Sequence, residues 1–586
     1  MKKILLALGL ALLSYGSAHA AKAWPYPITV IQSNGEPITF FLHGDEHFHW
    51  YTDAQGNILT RTGNDFTKLD VDPSTFVSQG IAKAQTRAVS REAITKTPSV
   101  FPFTGSPRAI VILAEYPDRK FTVSSPRASF EQYLNGSGHP VDLGLREDLN
   151  YGSVKQYFID QSYGAYSPQF DVYGPVMLPN NMAYYGGTAG NGNDEKATQL
   201  VIDACKAMDD SLDFSSYDQD GDGNADLVYV VYAGYGQSSG ASAETMWPKS
   251  FNGFSKSTAA FDGKGVNRCG ISNELMAYEG AFDYTTTDAT QKNFDTAVKR
   301  INGIGLFVHE FSHCLGLPDF YTTNQSTAYD NQGMEDWSIM DNGTYVSNGN
   351  VPTAYTAWER EAMGWDKINV ITEAKQYQLT AAKGQRAVKV VNPNNANEYY
   401  VFEIFEDKGW NQRIARYGTY TPTTSGLLVY HVDYNATSFS LTSNSVNNTI
   451  GHPRMTVIPA DGTLVSSYRV GNDVTALQYY QSLNGDIFRV DDTVNFPTFS
   501  QTGGLHNASW WTSAEATPIY NINYTNGSVY FDFLTPIAST GIQQSTTPVT
   551  DSTPSPIYTL DGRYVGTSVS ALPRGIYVRG GKKFVK

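Results

Sequence analysis

Nineteen residues constrain this 586-residue chain more than the rest of it: GIGLFVHEFSHCLGLPDFY, 303–321. His309 and His313 are four apart, so on a helix they stand one turn apart on one face. Two imidazoles so placed can grip a single tetrahedral metal ion, and Glu310 between them can take a proton from a water at that metal. Leu306, Phe307, Val308 and Phe311 make the helix apolar enough to be buried. Gly316 suits the left-handed residue that ends a helix, and Pro318 prevents its resumption. The turned chain can then bring Asp319 back as third ligand. Two His and one carboxylate with an open fourth position is a catalytic zinc set. About 0.02 chance occurrences of His-(Asp/Glu)-x-x-His are expected in a chain of this composition. Cys314 points about 100° away from His313 and reads as a core residue.

The N-terminus reads as a secretory signal peptide, 1–20. Lys2 and Lys3 precede an apolar run from Ile4 to Leu13, and Ala18-His19-Ala20 is a small-x-small cleavage site, so the mature chain starts at Ala21. No other apolar run approaches ~18 residues, so no membrane span is expected in the mature chain. The net charge of −15 lacks the basic footprint of a nucleic-acid binder. Three cysteines, Cys205, Cys269 and Cys314, are too few for a disulfide scaffold; one bridge or none is equally readable.

The length allows three to four domains. Residues 21–104 form an N-terminal region with strand-like alternation over 24–60, a turn at Asp53–Asn57 and a polar, basic linker over 84–107. Residues 105–368 mix buried strands (109–113, 227–236) with helical spacing (197–208) and read as one α/β domain. Residues 369–535 carry short strands such as EYYVFEIFE and GLLVYHVDY, the pattern of a β-sandwich. Residues 536–556 are a Thr/Ser/Pro-rich linker, and 557–586 a short β module.

Two further clusters suggest metal. Asp218, Asp220, Asp222, Asn224 and Asp226 place oxygens at alternate positions around Gly223, like the front of an EF-hand, but Tyr229 stands where its bidentate Glu belongs. This reads as a structural calcium loop. His43, His47 and His49 fit the period of a strand only with a turn at Gly44, so a metal site there is the weaker reading.

The stretch 301–365 resembles the immune inhibitor A-like (peptidase M6) secreted bacterial metallopeptidases. The likeness rests on His309–Asp319, on Trp337-Ser338-Ile339-Met340-Asp341 as a Met-turn and on AYTAWEREAMGW (354–365). LAEYPD (113–118), SVKQYFIDQSYG (153–164) and YAGYG (232–236) extend it, over roughly 105–535. It implies a metzincin-like catalytic domain with zinc on His309, His313 and Asp319, and Met340 beneath the metal. It implies a protein-cleaving zinc endopeptidase made as a zymogen, whose pro-region would offer Asp45 or Asp53 to the metal. Asn342 stands where many metzincins carry a catalytic Tyr; Tyr345 is near. The tail, with Tyr558-x-Leu560-x-Gly562 and Leu572-Pro573-Arg574-Gly575-Ile576-Tyr577, resembles the end of C-terminal sorting domains that Bacteroidetes attach to proteins leaving through the type IX secretion machinery. Rival readings are a non-proteolytic zinc hydrolase and a ligand-binding exoprotein or adhesin using the β-rich region. Glu310 beside an intact ligand set argues against the adhesin, which has no need of a general base.

Overall fold

A computed structural model describes residues 18–46, 48–91, 100–139, 150–187, 194, 196–275, 301–324, 333–416, 425–489, 519–535, 555–580 and 582–586. Residues 1–17 of the run read as a signal peptide, His47 and residues 536–554 of the stretch read as a linker lie outside the described residues.

The central sheet has the order β1-β10-β11-β9-β7-β8. Its parallel part is β7 (Arg108–Glu115), β8 (Gln169–Met177), β9 (Asn224–Tyr235) and β11 (Gly265–Leu275). β7 and β9 read as unbroken apolar runs because both faces of the sheet are covered. Val111, Leu113, Tyr229 and Val231 join the core shared with the helix Ile304–Cys314. Ile110, Ile112, Val228 and Val230 point the other way, into a core shared with the helix Ala197–Met208. β10 (Lys249–Phe254) runs antiparallel to β11, and β1 (Ala18–Ala20) antiparallel to β10.

The N-terminal region folds into an antiparallel meander, β2 (Ile28–Ile31), β3 (Pro37–Gly44), β4 (His49–Thr52), β5 (Ile58–Thr62) and β6 (Asp65–Lys68). The expected linker begins differently: residues 84–91 belong to a helix, Pro73–Arg91. Its Ala, Lys, Gln and Arg residues are good helix formers with no strong apolar stripe.

Beyond the α/β part, β12 (Asn369–Val370), β14 (Ala387–Asn392), β15 (Asn395–Phe405), β16 (Gly426–Asp433) and β17 (Met455–Val457) form one sheet. β13 (Gln376–Thr380), β18 (Ile519–Thr525) and β19 (Ser528–Phe533) form a second. Tyr400, Phe402 and Ile404 pack with Val529 and Phe531 between the two sheets. The other face of the five-stranded sheet, Tyr399, Val401, Leu428 and Tyr430, enters the same core as the helix Ile304–Cys314. The core is continuous across residues 368/369. β20 to β23 (Ile557–Thr559, Tyr564–Gly566, Ile576–Arg579, Lys582–Val585) make a separate small sheet with its own apolar cluster.

The described residues hold no helix long and apolar enough to cross a membrane. Cys205, Cys269 and Cys314 are all buried free thiols.

Candidate active site and metal centre

Every residue of the helix Ile304–Cys314 is buried. Gly305 lets it lie against the segment 342–349: a Cβ there would stand 2.1 Å from the Thr344 carbonyl oxygen. After Leu315 the backbone turns at Gly316, with φ +111°. That reversal delivers Asp319 beneath the His pair.

His309 Nδ1 lies 2.7 Å from the Ile339 carbonyl and His313 Nδ1 2.7 Å from the Leu317 carbonyl. A carbonyl only accepts, so each Nδ1 is the protonated nitrogen and each Nε2 offers a lone pair inward. The Nε2 atoms stand 3.3 Å and 3.2 Å from Asp319 Oδ1. His309 Nε2 and Asp319 Oδ1 are buried and make no well-formed hydrogen bond. Such orphaned buried acceptors are costly, and a divalent cation between them would satisfy both. The donor set therefore fits a metal of zinc type. Burial alone would raise the Asp319 carboxyl, but His313 and His309 outweigh it and hold the group well below the ordinary carboxylate range. Burial pushes Glu310 up to about 8, with His309 opposing. Met340 is fully buried, and its carbonyl accepts from the Phe320 N–H at 2.8 Å.

Asn444 was not visible in the sequence. Its Nδ2 donates to Asp319 Oδ2 at 2.6 Å, and its Oδ1 accepts the Asp319 N–H at 2.8 Å. It lies in a polar loop with no periodicity, so no local signal marks it. Two more residues from beyond 435 brace the segment 336–341: Asp486 Oδ2 accepts from Trp337 Nε1 at 2.7 Å, and Tyr479 donates its hydroxyl to Asp336 Oδ1 at 2.8 Å.

The N-terminal segment crosses the site. The Ala21 N–H donates to Glu310 Oε1 at 2.8 Å, Trp247 Nε1 donates to the Ala21 carbonyl at 2.7 Å, and Tyr345 donates its hydroxyl to the Lys22 carbonyl at 2.5 Å. Asp53 is held in its own turn by Asn57, and Asp45 accepts the Phe48 N–H at 3.2 Å. The described residues that gather as metal ligands include neither. Asn342 is buried and donates to Asp336 Oδ1 at 2.5 Å, a bracing role.

Residues 108–370 match the catalytic domain of the immune inhibitor A peptidase M6 family. The chain carries a peptidase M6 domain. Immune inhibitor A of Bacillus thuringiensis subsp. alesti is 28% identical over 299 residues, 43% of this chain and 39% of that protein. The pre-pro-metalloprotease PrtV of Vibrio cholerae is 29% identical over 233 residues, 36% of this chain and 23% of that protein. The chain thus spans well under half the length of these curated relatives. A crystal structure of catalytically inactive OgpA from Akkermansia muciniphila, with an O-glycopeptide, aligns at 12% identity over 61% of this chain and 89% of that one. Its TM-score of 0.23 carries no argument. The peptidase M6 domain holds His309, Glu310, His313 and Asp319, whereas Asn444 falls outside it.

In the acidic loop, Asp218, Asp220 and Asp222 come together. Asp226 turns to Gln219, whose Nε2 donates at 2.7 Å, and Asn224 donates to Asp222 at 3.2 Å. Lys264 Nζ meets Asp218 Oδ2 at 2.6 Å. His43 and His49 are kept apart: His43 Nε2 bonds the Thr52 hydroxyl at 2.8 Å, and His49 Nε2 lies 3.3 Å from Gln237 Nε2. Burial depresses both imidazoles to about 4.

Proposed function

We propose that this chain is a secreted zinc-dependent endopeptidase in which Glu310 is the general base. The observation that carries the reading is the meeting of His309 Nε2 and His313 Nε2 with Asp319 Oδ1 at 3.3 Å and 3.2 Å in a buried site beside Glu310. Bound by these three residues, zinc would supply Lewis-acid polarisation of a peptide carbonyl. Glu310 takes the proton of the attacking water and later passes it to the leaving amine. The Ala21 N–H on Glu310 Oε1 occupies the place of that leaving nitrogen. β1, which pairs with β10 here, belongs to the run read as a signal peptide, so its removal leaves β10 an edge strand for an extended substrate backbone.

The same contacts support a pro-region that keeps the enzyme latent by lying in the cleft, and the Vibrio relative is by name a pre-pro-metalloprotease. The loop at Asp218, Asp220 and Asp222 is read as a structural calcium site. The C-terminal sheet is read as a secretion address.

The test is metal content together with casein digestion. Glu310→Ala keeps one zinc per chain and loses nearly all proteolysis; Asp319→Ala loses both. Substantial turnover by zinc-loaded Glu310→Ala would remove the general-base assignment.

A further inference from the structure

Lys22 is 2% exposed although its side chain carries a charge. Burying an ammonium is expensive unless its surroundings replace water. Here they do. Its Nζ lies 3.8 Å from the centre of the Tyr468 ring and 5.9 Å from that of Tyr321. It donates to the Ser467 hydroxyl and stands 3.9 Å from Asp341 Oδ1. Ser467 links this group to a second carboxylate, since its N–H donates to Glu335 Oε2 at 3.0 Å. Aromatic walls for an aliphatic stem, with carboxylates at the far end, are the chemistry that recognises lysine or arginine.

The walls and floor come from residues 321–468, all outside the N-terminal segment. If Lys22 departs, the Tyr468 and Tyr321 rings, the Ser467 hydroxyl and Asp341 Oδ1 stay behind. The vacated pocket then calls for a new cation. It also lies in register with the chemistry: Lys22 directly follows Ala21, whose N–H meets Glu310.

We infer that the Lys22 pocket is a substrate subsite for a basic side chain, so that this enzyme selects lysine or arginine as the second residue on the leaving-amine side of the peptide bond it cuts. The inference rests on the peptidase reading above. Tyr468, Tyr321, Asp341 and Glu335 are then specificity-determining residues, and the chain's own Lys22 is a competitor for them.

The test uses the full chain, its intact mass verified, with zinc bound. Peptides differing only in lysine, arginine, norleucine or glutamate at the tested position are compared by kcat/KM. Lysine and arginine should exceed norleucine at least tenfold, with glutamate poorest. Glu335→Gln should cut the lysine-to-norleucine ratio several-fold, a ratio that partial misfolding leaves unmoved. Lys22→Glu, which sets a third carboxylate against the floor, should cleave the lysine peptide at least tenfold faster than Lys22→Arg, which refills the pocket. Cleavage with norleucine equal to lysine, or equal rates for the two Lys22 variants, overturns the subsite while leaving the peptidase standing. No cleavage of any peptide or of casein overturns the peptidase reading, and this one with it.

Discussion

Replacing Asn444 by alanine should weaken zinc binding without touching a ligand. Its amide holds Asp319 from two sides: Nδ2 donates to Oδ2 at 2.6 Å, and Oδ1 receives the Asp319 N–H at 2.8 Å. The first is a charge-assisted hydrogen bond, of the kind worth about 1.5–3 kcal/mol. Removing it leaves Asp319 Oδ2 buried and its carboxylate freer to rotate away from the His pair. Residues that orient a metal ligand typically contribute 10–100-fold to affinity, or about 1.4–2.7 kcal/mol. The two estimates overlap, so a zinc Kd raised by one to two orders of magnitude is expected. The assay is competition for zinc against a chromogenic chelator, with melting of the apo protein as control. Asn444→Asp should be worse, because it presses a second carboxylate against Asp319. An Asn444→Ala protein that competes for zinc as well as the unaltered chain would refute the idea that the grip on Asp319 matters.

Asp336→Asn should gain relative stability as pH rises. Burial pushes this carboxyl up to about 7, above an ordinary value near 3.8. A raised folded pKa means the folded state binds more protons, so the charge penalty is absent below pH ~4, grows through pH 4–7 and is complete above it, about 4 kcal/mol at most. Urea unfolding of the two proteins at pH 5 and pH 8 checks the sign; a gap no larger at pH 8 contradicts it. Calcium at a hundredfold excess over its Kd should add roughly 2.7 kcal/mol of stability, seen as a higher Tm that calcium-selective chelation reverses and Asp220→Ala abolishes. Deleting residues 555–586 should leave the main melting transition in place, because that sheet has its own apolar cluster; a host with the matching export machinery should then retain the active enzyme in its periplasm.

The helix Ile304–Cys314 and the meeting of His309, His313 and Asp319 were legible because the information is local. The His spacing, Gly316 and Pro318 fix helix, stop and return within eleven residues. The buried strands β7 and β9 were legible for the same reason: a sheet covered on both faces must be apolar at every position. The helix Ala197–Met208 matched its expected span because its apolar residues recur at helical spacing. The helix Pro73–Arg91 was misread because only propensity announced it, while the polar composition resembled a linker. Asn444 lies 125 residues from the carboxylate it orients, and nothing in an Asn- and Ser-rich loop distinguishes one amide from its neighbours. Lys22 was hidden differently. It follows a run read as a signal peptide, and its fit to a pocket built from residues 321–468 emerges only in three dimensions.

The five-stranded sheet buried on both faces has a bearing on timing. Because Tyr399, Val401 and Tyr430 share a core with the helix that carries the His pair, these parts gain their packing only together. A ribosome delivers His309 and His313 long before Asn444, and Asp486 later still. Until those residues emerge, the nascent chain lacks the grip on Asp319 and the brace on Trp337. The His pair therefore waits for residues more than a hundred positions downstream before its surroundings are complete, a delay set by residue order alone.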